Sequence, residues 1–228
     1  MPFFTRVSPS IIAVDYKNKE VLKNALMTIE KAGANFVHLD VMDGKFVANK
    51  TFDNELVDWV KNNTTLLLDV HLMVVNPEEV VDKYIAAGAD ILTFHYEATD
   101  KPEELLKYIK SKNVLAGLAI SPGTPAYKIR DILKKNLIDV VNVMGVEPGA
   151  YGQTFIPGSA EKVAEVREMD NSVYIEIDGG VNLKNSKVLR ELGANILVSG
   201  ACIFESKNIA KTIRILKGRD WAIKMNSL

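Results

Sequence analysis

Three histidines occur in the 228-residue chain, and each stands in a short apolar, β-branched run. His38 and Asp40 flank Leu39 near the end of one run, and Asp69 and His71 flank Val70 near the end of the next. In extended backbone, residues i and i+2 share a face, so each pair can aim at one target. Asp178 closes a third run, Tyr174-Ile175-Glu176-Ile177-Asp178, just before Gly179-Gly180. Imidazoles and carboxylates converging from three strands make a mixed N/O set suited to a divalent cation. Taken singly, a strand histidine is more often a hydrogen-bonded core residue, and a strand-end aspartate a turn former. Their joint placement favours a site. Asp69 suits an orienting partner of a ligand, and His95, followed by Tyr96-Glu97, is assigned to neither reading.

Two further groups bear on chemistry. Pro148-Gly149-Ala150-Tyr151-Gly152-Gln153, Asp178-Gly179-Gly180 and Ser199-Gly200-Ala201 each follow an apolar run. Glycine lets backbone N–H groups approach a ligand closely, so three such loops together favour phosphate binding over ordinary tight turns. Met42, Met73 and Met144 fall at or near ends of runs. Methionine usually fills core gaps, but three at one mouth could form an apolar collar that keeps water from a carbanion.

Such groups need a scaffold that gathers strand ends. Apolar runs lie near Val7–Val14, Phe36–Met42, Leu66–Val74, Ile91–Tyr96, Val114–Ile120, Ile138–Met144, Val173–Asp178 and Asn195–Ser199. Between them run helix-period stripes, such as Val21, Leu22, Ala25, Leu26 and Ile29, or Val80, Val81, Tyr84 and Ile85. Asn76-Pro77-Glu78-Glu79, Asp100 to Glu104 and Thr124-Pro125 read as helix starts with caps, early prolines or acids. A faint repeat, Ala32-Gly33-Ala34-Asn35, Ala87-Gly88-Ala89-Asp90 and Leu192-Gly193-Ala194-Asn195, reads as helix-to-strand turns. Eight alternating β and α units predict an α/β fold, a single-domain (β/α)8 TIM barrel over residues 1–228, with chemistry at the C-terminal strand ends.

Composition narrows the function. Lys plus Arg total 28 and Asp plus Glu 29, a net charge of −1 that argues against nucleic-acid binding. One cysteine, Cys202, excludes an intramolecular disulfide and fits a reducing compartment. The N-terminal Met1-Pro2-Phe3-Phe4-Thr5-Arg6 lacks a signal-peptide pattern, and no apolar run suits a membrane span. The expectation is a cytoplasmic protein with no nucleic-acid or membrane partner.

At these residues the chain resembles the ribulose-phosphate 3-epimerase family nearly end to end. The matching segments are Ser8-Pro9-Ser10-Ile11, His38 through Val47, Asp69-Val70-His71-Leu72-Met73, Val143-Met144 with Val146-Glu147-Pro148-Gly149, and Glu176-Ile177-Asp178-Gly179-Gly180-Val181. The resemblance implies an isomerase of carbohydrate metabolism that interconverts D-ribulose 5-phosphate and D-xylulose 5-phosphate in the pentose phosphate pathway. It implies that His38, Asp40, His71 and Asp178 bind one divalent metal, with Asp40 and Asp178 doubling as the acid/base pair. Zinc, iron, manganese and cobalt all suit such ligands. It further implies that Ser10, His71, Met42, Met73 and Met144 contact or line the substrate. Gly149, Ala150, Tyr151, Gly152, Gly179, Gly180, Gly200 and Ala201 would surround its phosphate, and the assembly would be a dimer or larger.

Three positions depart from the family's usual pattern. Tyr151 stands where glycine is usual, Ala201 where serine is usual, and Ala48 where proline is common. These bear on loop behaviour and affinity rather than reaction type. Rival expectations are a hexulose-phosphate epimerase on the same barrel and a catalytically silent phosphate-binding barrel. A metal-free decarboxylase ranks low, because no Asp-x-Lys-x-x-Asp cluster stands at strand three.

Overall fold

Each apolar run of the sequence becomes a strand, and each striped segment packs outside it. The computed structural model describes residues 4–219. The order is β1 (Arg6–Pro9), α1 (Lys19–Lys31), β2 (Phe36–Met42), α2 (Asn54–Lys61), β3 (Leu67–Met73), α3 (Val81–Ala86), β4 (Ile91–His95), α4 (Pro102–Ser111), β5 (Leu115–Ile120), α5 (Arg130–Lys134), β6 (Val140–Met144), α6 (Gly158–Met169), β7 (Tyr174–Asp178), α7 (Ser186–Glu191), β8 (Ile196–Ser199), α8 (Ala201–Phe204) and α9 (Ile209–Leu216). Neighbouring strands pair in parallel, and the sheet runs β1-β8-β7-β6-β5-β4-β3-β2. A parallel bridge from Ser10 to His38 and a hydrogen bond from Asn35 N to Val7 O (3.1 Å) bring β1 back to β2. The result is a (β/α)8 barrel, as the alternation of elements predicts.

Burial divides the barrel into levels. Along β2 every residue is buried, because Val37, Leu39 and Val41 join the main apolar core while the alternating residues face inward. Phe36, Ile91, Val140 and Ile196, the first residues of β2, β4, β6 and β8, pack together with Tyr174. Four side chains from alternate strands form one interior layer of such a barrel, here an apolar plug at the N-terminal end. Two residues further along β2 and β7 the inward positions turn polar, at His38 and Glu176. Two more bring Asp40 and Asp178 to the opposite mouth, so strand periodicity alone separates plug from site.

The helix-to-strand turns follow the expected repeat. Gly33, Gly88 and Gly193 have φ of 79°, 95° and 114°, the left-handed backbone that ends a helix and returns the chain to the sheet. Asn18, Asp53 and Asn208 cap α1, α2 and α9 through their side chains.

Several expected starts and stripes are corrected. Asn76 is itself left-handed (φ 50°) and makes no capping bond, and Pro77–Glu79 forms a 3-10 turn before α3. Neither Asp100 nor Thr124 caps a helix: α4 starts after Lys101, and Pro125 leads into the 3-10 turn Ala126–Ile129. Val21 is exposed, so α1 buries only Leu22, Leu26 and Ile29. The first strand stops at Pro9, and Ile11–Ala13 coils as a 3-10 turn because its backbone leaves the sheet at the mouth. The expected single domain extends over residues 1–228; residues 1–3, the first part of the N-terminal segment read for a signal peptide, and 220–228 lie outside the described residues.

Candidate active site

The C-terminal ends of β2, β3 and β7 deliver four side chains to one point. His38 Nε2 lies 3.1 Å from Asp40 Oδ1 and 3.5 Å from Asp178 Oδ2. His71 Nδ1 lies 3.3 Å from each of the same two oxygens. One donor atom from each residue falls within 4.8 Å of all the others. Both imidazoles are wholly buried, whereas Asp40 and Asp178 keep a small face toward the mouth. Ser10 Oγ donates to Asp40 Oδ2 (2.8 Å), leaving Oδ1 for the shared centre.

Neighbours below orient this set. Asp69 Oδ2 accepts from Ser8 Oγ (2.8 Å) and lies 2.7 Å from His38 Nδ1. A carboxylate there holds a proton on Nδ1 and aims Nε2 at Asp40 and Asp178. Asp69 therefore lies against His38 rather than among the four. His95 is also buried, against the far side of His71 (Nε2 to Nε2, 2.9 Å).

These residues fit a cation. His71 Nδ1 is close to two carboxylate oxygens yet hydrogen-bonded to neither, so the buried nitrogen points between them. Two nitrogens and two carboxylate oxygens form a borderline donor set for a divalent transition metal. The electrostatics agree. Burial works against charge on Asp40 and Asp178, and Asp40 adds to this for Asp178, but the two histidines outweigh both and hold each carboxyl below its ordinary range. Burial likewise opposes protonation of His38, yet Asp69, Asp40 and Asp178 raise it well above 6.5. The same burial opposes charge on His71, and Asp178 and Asp40 again raise it. The centre thus favours positive charge.

Outside this centre opens a cavity of about 210 Å³, on the scale of a metabolite rather than a macromolecule. Ser10, Asp40, Asp178 and all three methionines, Met42, Met73 and Met144, line it. Met42 and Met73 pack with Val47, Ile12 and Phe46, so one wall near the carboxylates is apolar. Gly149, Ala150, Tyr151, Gly152, Gly179, Gly180, Gly200 and Ala201 also line it. Gly179 has φ of 100°, and a Cβ there would meet Val146 Cγ2 at 2.4 Å; at Gly180 (φ 68°) it would meet Phe155 backbone at 2.7 Å. Only glycine satisfies both positions. Tyr151 is not among the residues with positive φ and is 56% exposed, so the loop takes this side chain without backbone strain. Asn49 Nδ2 donates to Gly149 O (2.6 Å), tying the loop after β2 to the loop after β6 across the mouth.

Sequence reasoning missed Glu176 and Asn142. Both side chains are buried with no hydrogen-bond partner at their polar atoms, among the described residues, and Glu176 clusters with His38 and Asp69. Burial first, and Asp69 second, push the Glu176 carboxyl well above its ordinary range. The available signal was strand parity: Glu176 is two residues before Asp178, as His38 is two before Asp40.

Fold and centre together define a (β/α)8-barrel enzyme with a buried His/Asp cluster that could hold a metal ion beside a metabolite-sized cavity. Residues 6–204 match the model of the ribulose-phosphate 3 epimerase family. A ribulose-phosphate 3-epimerase of Chlamydia pneumoniae is 38% identical, with 96% of each chain covered. A chloroplastic ribulose-5-phosphate-3-epimerase of Arabidopsis thaliana is 40% identical over 92% of this chain and 75% of the relative. Among solved structures, one of KGPDC from Streptococcus mutans superposes with a TM-score of 0.72 at 15% identity, covering 95% of this chain and 97% of that one, a likeness of fold. The chain belongs to the ribulose-phosphate 3-epimerase family and is an isomerase.

Proposed function

We propose that the protein interconverts D-ribulose 5-phosphate and D-xylulose 5-phosphate, with Asp40 and Asp178 as its acid/base pair. The observation that carries this reading is the convergence of these two carboxyl groups, from β2 and β7, on one cavity. The substrate's carbon 3 sits between them. One carboxylate removes the proton from carbon 3, and the C–H electron pair passes into the neighbouring carbonyl to give an enediolate. The other must take up a proton as the substrate binds, and it delivers that proton to the opposite face of carbon 3. The two exchange protonation states, atoms balance and no net oxidation occurs.

His38, Asp40, His71 and Asp178 would hold one divalent ion of zinc, iron, manganese or cobalt. When bound, such an ion supplies Lewis-acid stabilisation of negative charge on substrate oxygens, worth several kcal/mol. The carboxylates' share, as positioned proton carriers, is roughly 10²–10⁴-fold. Ser10 fixes Asp40 and faces the substrate. Met42, Met73 and Met144 exclude water from carbon 3. Backbone around Gly149–Gly152, Gly179–Gly180 and Gly200–Ala201 receives the phosphate, so substrate length spans the cavity from glycine loops to carboxylates.

We place the enzyme in the cytoplasm as a homo-oligomer. Among the described residues no helix is long and apolar enough to cross a membrane, and the lone Cys202 suits a reducing compartment.

The test is incubation of metal-replete protein with D-ribulose 5-phosphate in D2O, followed by NMR. D-xylulose 5-phosphate carrying deuterium at carbon 3 supports the proposal. Neither product nor exchange, with substrate demonstrably bound, overturns it and turns attention to hexulose phosphates.

A further inference from the structure

His71 faces the centre through Nδ1, while its Nε2 points away toward the buried His95 and the polar groups beyond it. That nitrogen lies 2.9 Å from His95 Nε2. The ring planes are 21° apart with centroids 5.0 Å apart, so the rings meet edge to edge, as a hydrogen bond between the two nitrogens requires. On the other side of His95, Nδ1 lies 3.2 Å from Glu97 Oε2 and 3.3 Å from Ser121 Oγ. Glu97 Oε1 accepts from Ser121 N (2.9 Å) and from Thr124 Oγ1. The segment carrying these donors is itself pinned: Lys162 Nζ donates to Ser121 O (3.0 Å) and Thr124 O (2.7 Å). Phe46 packs over His95, with ring centroids 4.8 Å apart, and helps cover it.

We propose that His95 and Glu97 are positioning residues that fix the tautomer and orientation of His71, so that its Nδ1 lone pair is presented to a cation at the centre. The direction follows from proton counting. An ionised carboxylate only accepts, so Glu97 holds the proton of a neutral His95 on Nδ1. His95 Nε2 is then an acceptor, and the single proton between the two rings sits on His71 Nε2. His71 Nδ1 is left unprotonated, facing Asp40 and Asp178. The reverse arrangement would set a lone pair of His95 against the Glu97 carboxylate and an N–H of His71 against the cation. Burial opposes charge on Glu97, yet the hydrogen bonds it accepts from His95, Thr124 and Ser121 hold its carboxyl down to about 2 and keep it ionised.

This inference rests on reading the centre as a metal site, and the experiment separates the two. Metal-stripped wild-type protein, His95→Leu, His95→Gln and Glu97→Ala are titrated with Co2+ against a chelator, and the visible d–d spectrum is recorded. Loss of an outer partner of a ligating histidine typically costs about 10–100-fold in metal affinity, and we expect His95→Leu to lose that much with an altered spectrum. His95→Gln, whose amide oxygen can accept from His71 Nε2, should recover most of the loss. Glu97→Ala should fall between them. A His95→Leu protein with wild-type affinity and spectrum overturns the relay, as does a His95→Gln protein that binds no better than His95→Leu. If far-UV circular dichroism shows that the His95 variants do not fold, Glu97→Ala decides alone, and unchanged affinity there overturns the relay. A wild-type protein that binds no Co2+ removes the metal reading itself and the relay with it.

Discussion

Asp40 and Asp178 differ from every other carboxylate among the described residues in sharing one buried centre with two imidazoles while still lining the cavity. Replacing either with asparagine keeps the shape and removes a carboxyl that the proposed reaction uses as a proton carrier. Asp40→Asn and Asp178→Asn are each expected to lower kcat by roughly 10²–10⁴-fold; near-normal turnover would remove that residue from the scheme. Glu176 behaves oppositely. Its folded-state pKa is raised, so its contribution to stability is complete below the unfolded value near 4.5 and is lost as pH rises through the folded value. Between the two, the wild-type protein loses about 1.4 kcal/mol per pH unit relative to a variant that cannot ionise. Glu176→Gln supplies an amide N–H that can reach the unpartnered Asp69 Oδ1. It should be more stable than wild type at pH 8, with the gap closing toward pH 4.5. Denaturant melts that give a pH-independent difference would show that Glu176 does not hold its proton.

At the scale of elements, the loops around the cavity carry the backbone conformations that side chains resist. Gly179→Ala must place a Cβ against Val146 in left-handed backbone. The backbone alone costs about 1–2 kcal/mol, so a fall in denaturation midpoint should accompany a rise in KM for the phosphorylated substrate. An unchanged KM would detach this loop from phosphate binding. The same scale shows what sequence reveals. All eight strands were legible because β-branched runs are long enough to carry a pattern, and β2 runs from Phe36 to Met42 as expected. The centre was legible because parity along a strand puts His38 with Asp40 and Asp69 with His71 toward one interior. Caps were less so: Asn76 carries the right chemistry but sits in left-handed backbone, which Asn tolerates, and its side chain makes no capping bond. The partnership of His71 with His95, and of His95 with Glu97, depends on which strands become neighbours. No local pattern encodes that, so His95 could not be assigned from sequence.

For the molecule as a whole, the proposed metal site would link metal binding to stability through protons. His38 and His71 have raised folded-state values, so in the metal-free protein their stabilisation is present below about 6.5 and fades as pH rises through those values. A cation needs the same lone pairs and displaces the protons. Metal should therefore bind more tightly as pH rises, and the Tm gained on adding it should grow from pH 6 to pH 8. At a free concentration of 100 Kd the gain is about 2.7 kcal/mol. A Tm gain that is flat with pH would mean that the two imidazoles are not the ligands. The barrel's closure carries a consequence in time. β1 pairs along its length with β8, Arg6 lying opposite Ile196, about 190 residues later in the chain. At synthesis rates of roughly 5–20 residues per second, the first strand waits roughly 10–40 s for its principal partner to be made. Ser10, which fixes Asp40, belongs to that waiting segment, so the active centre is completed only when the newest part of the chain reaches the oldest.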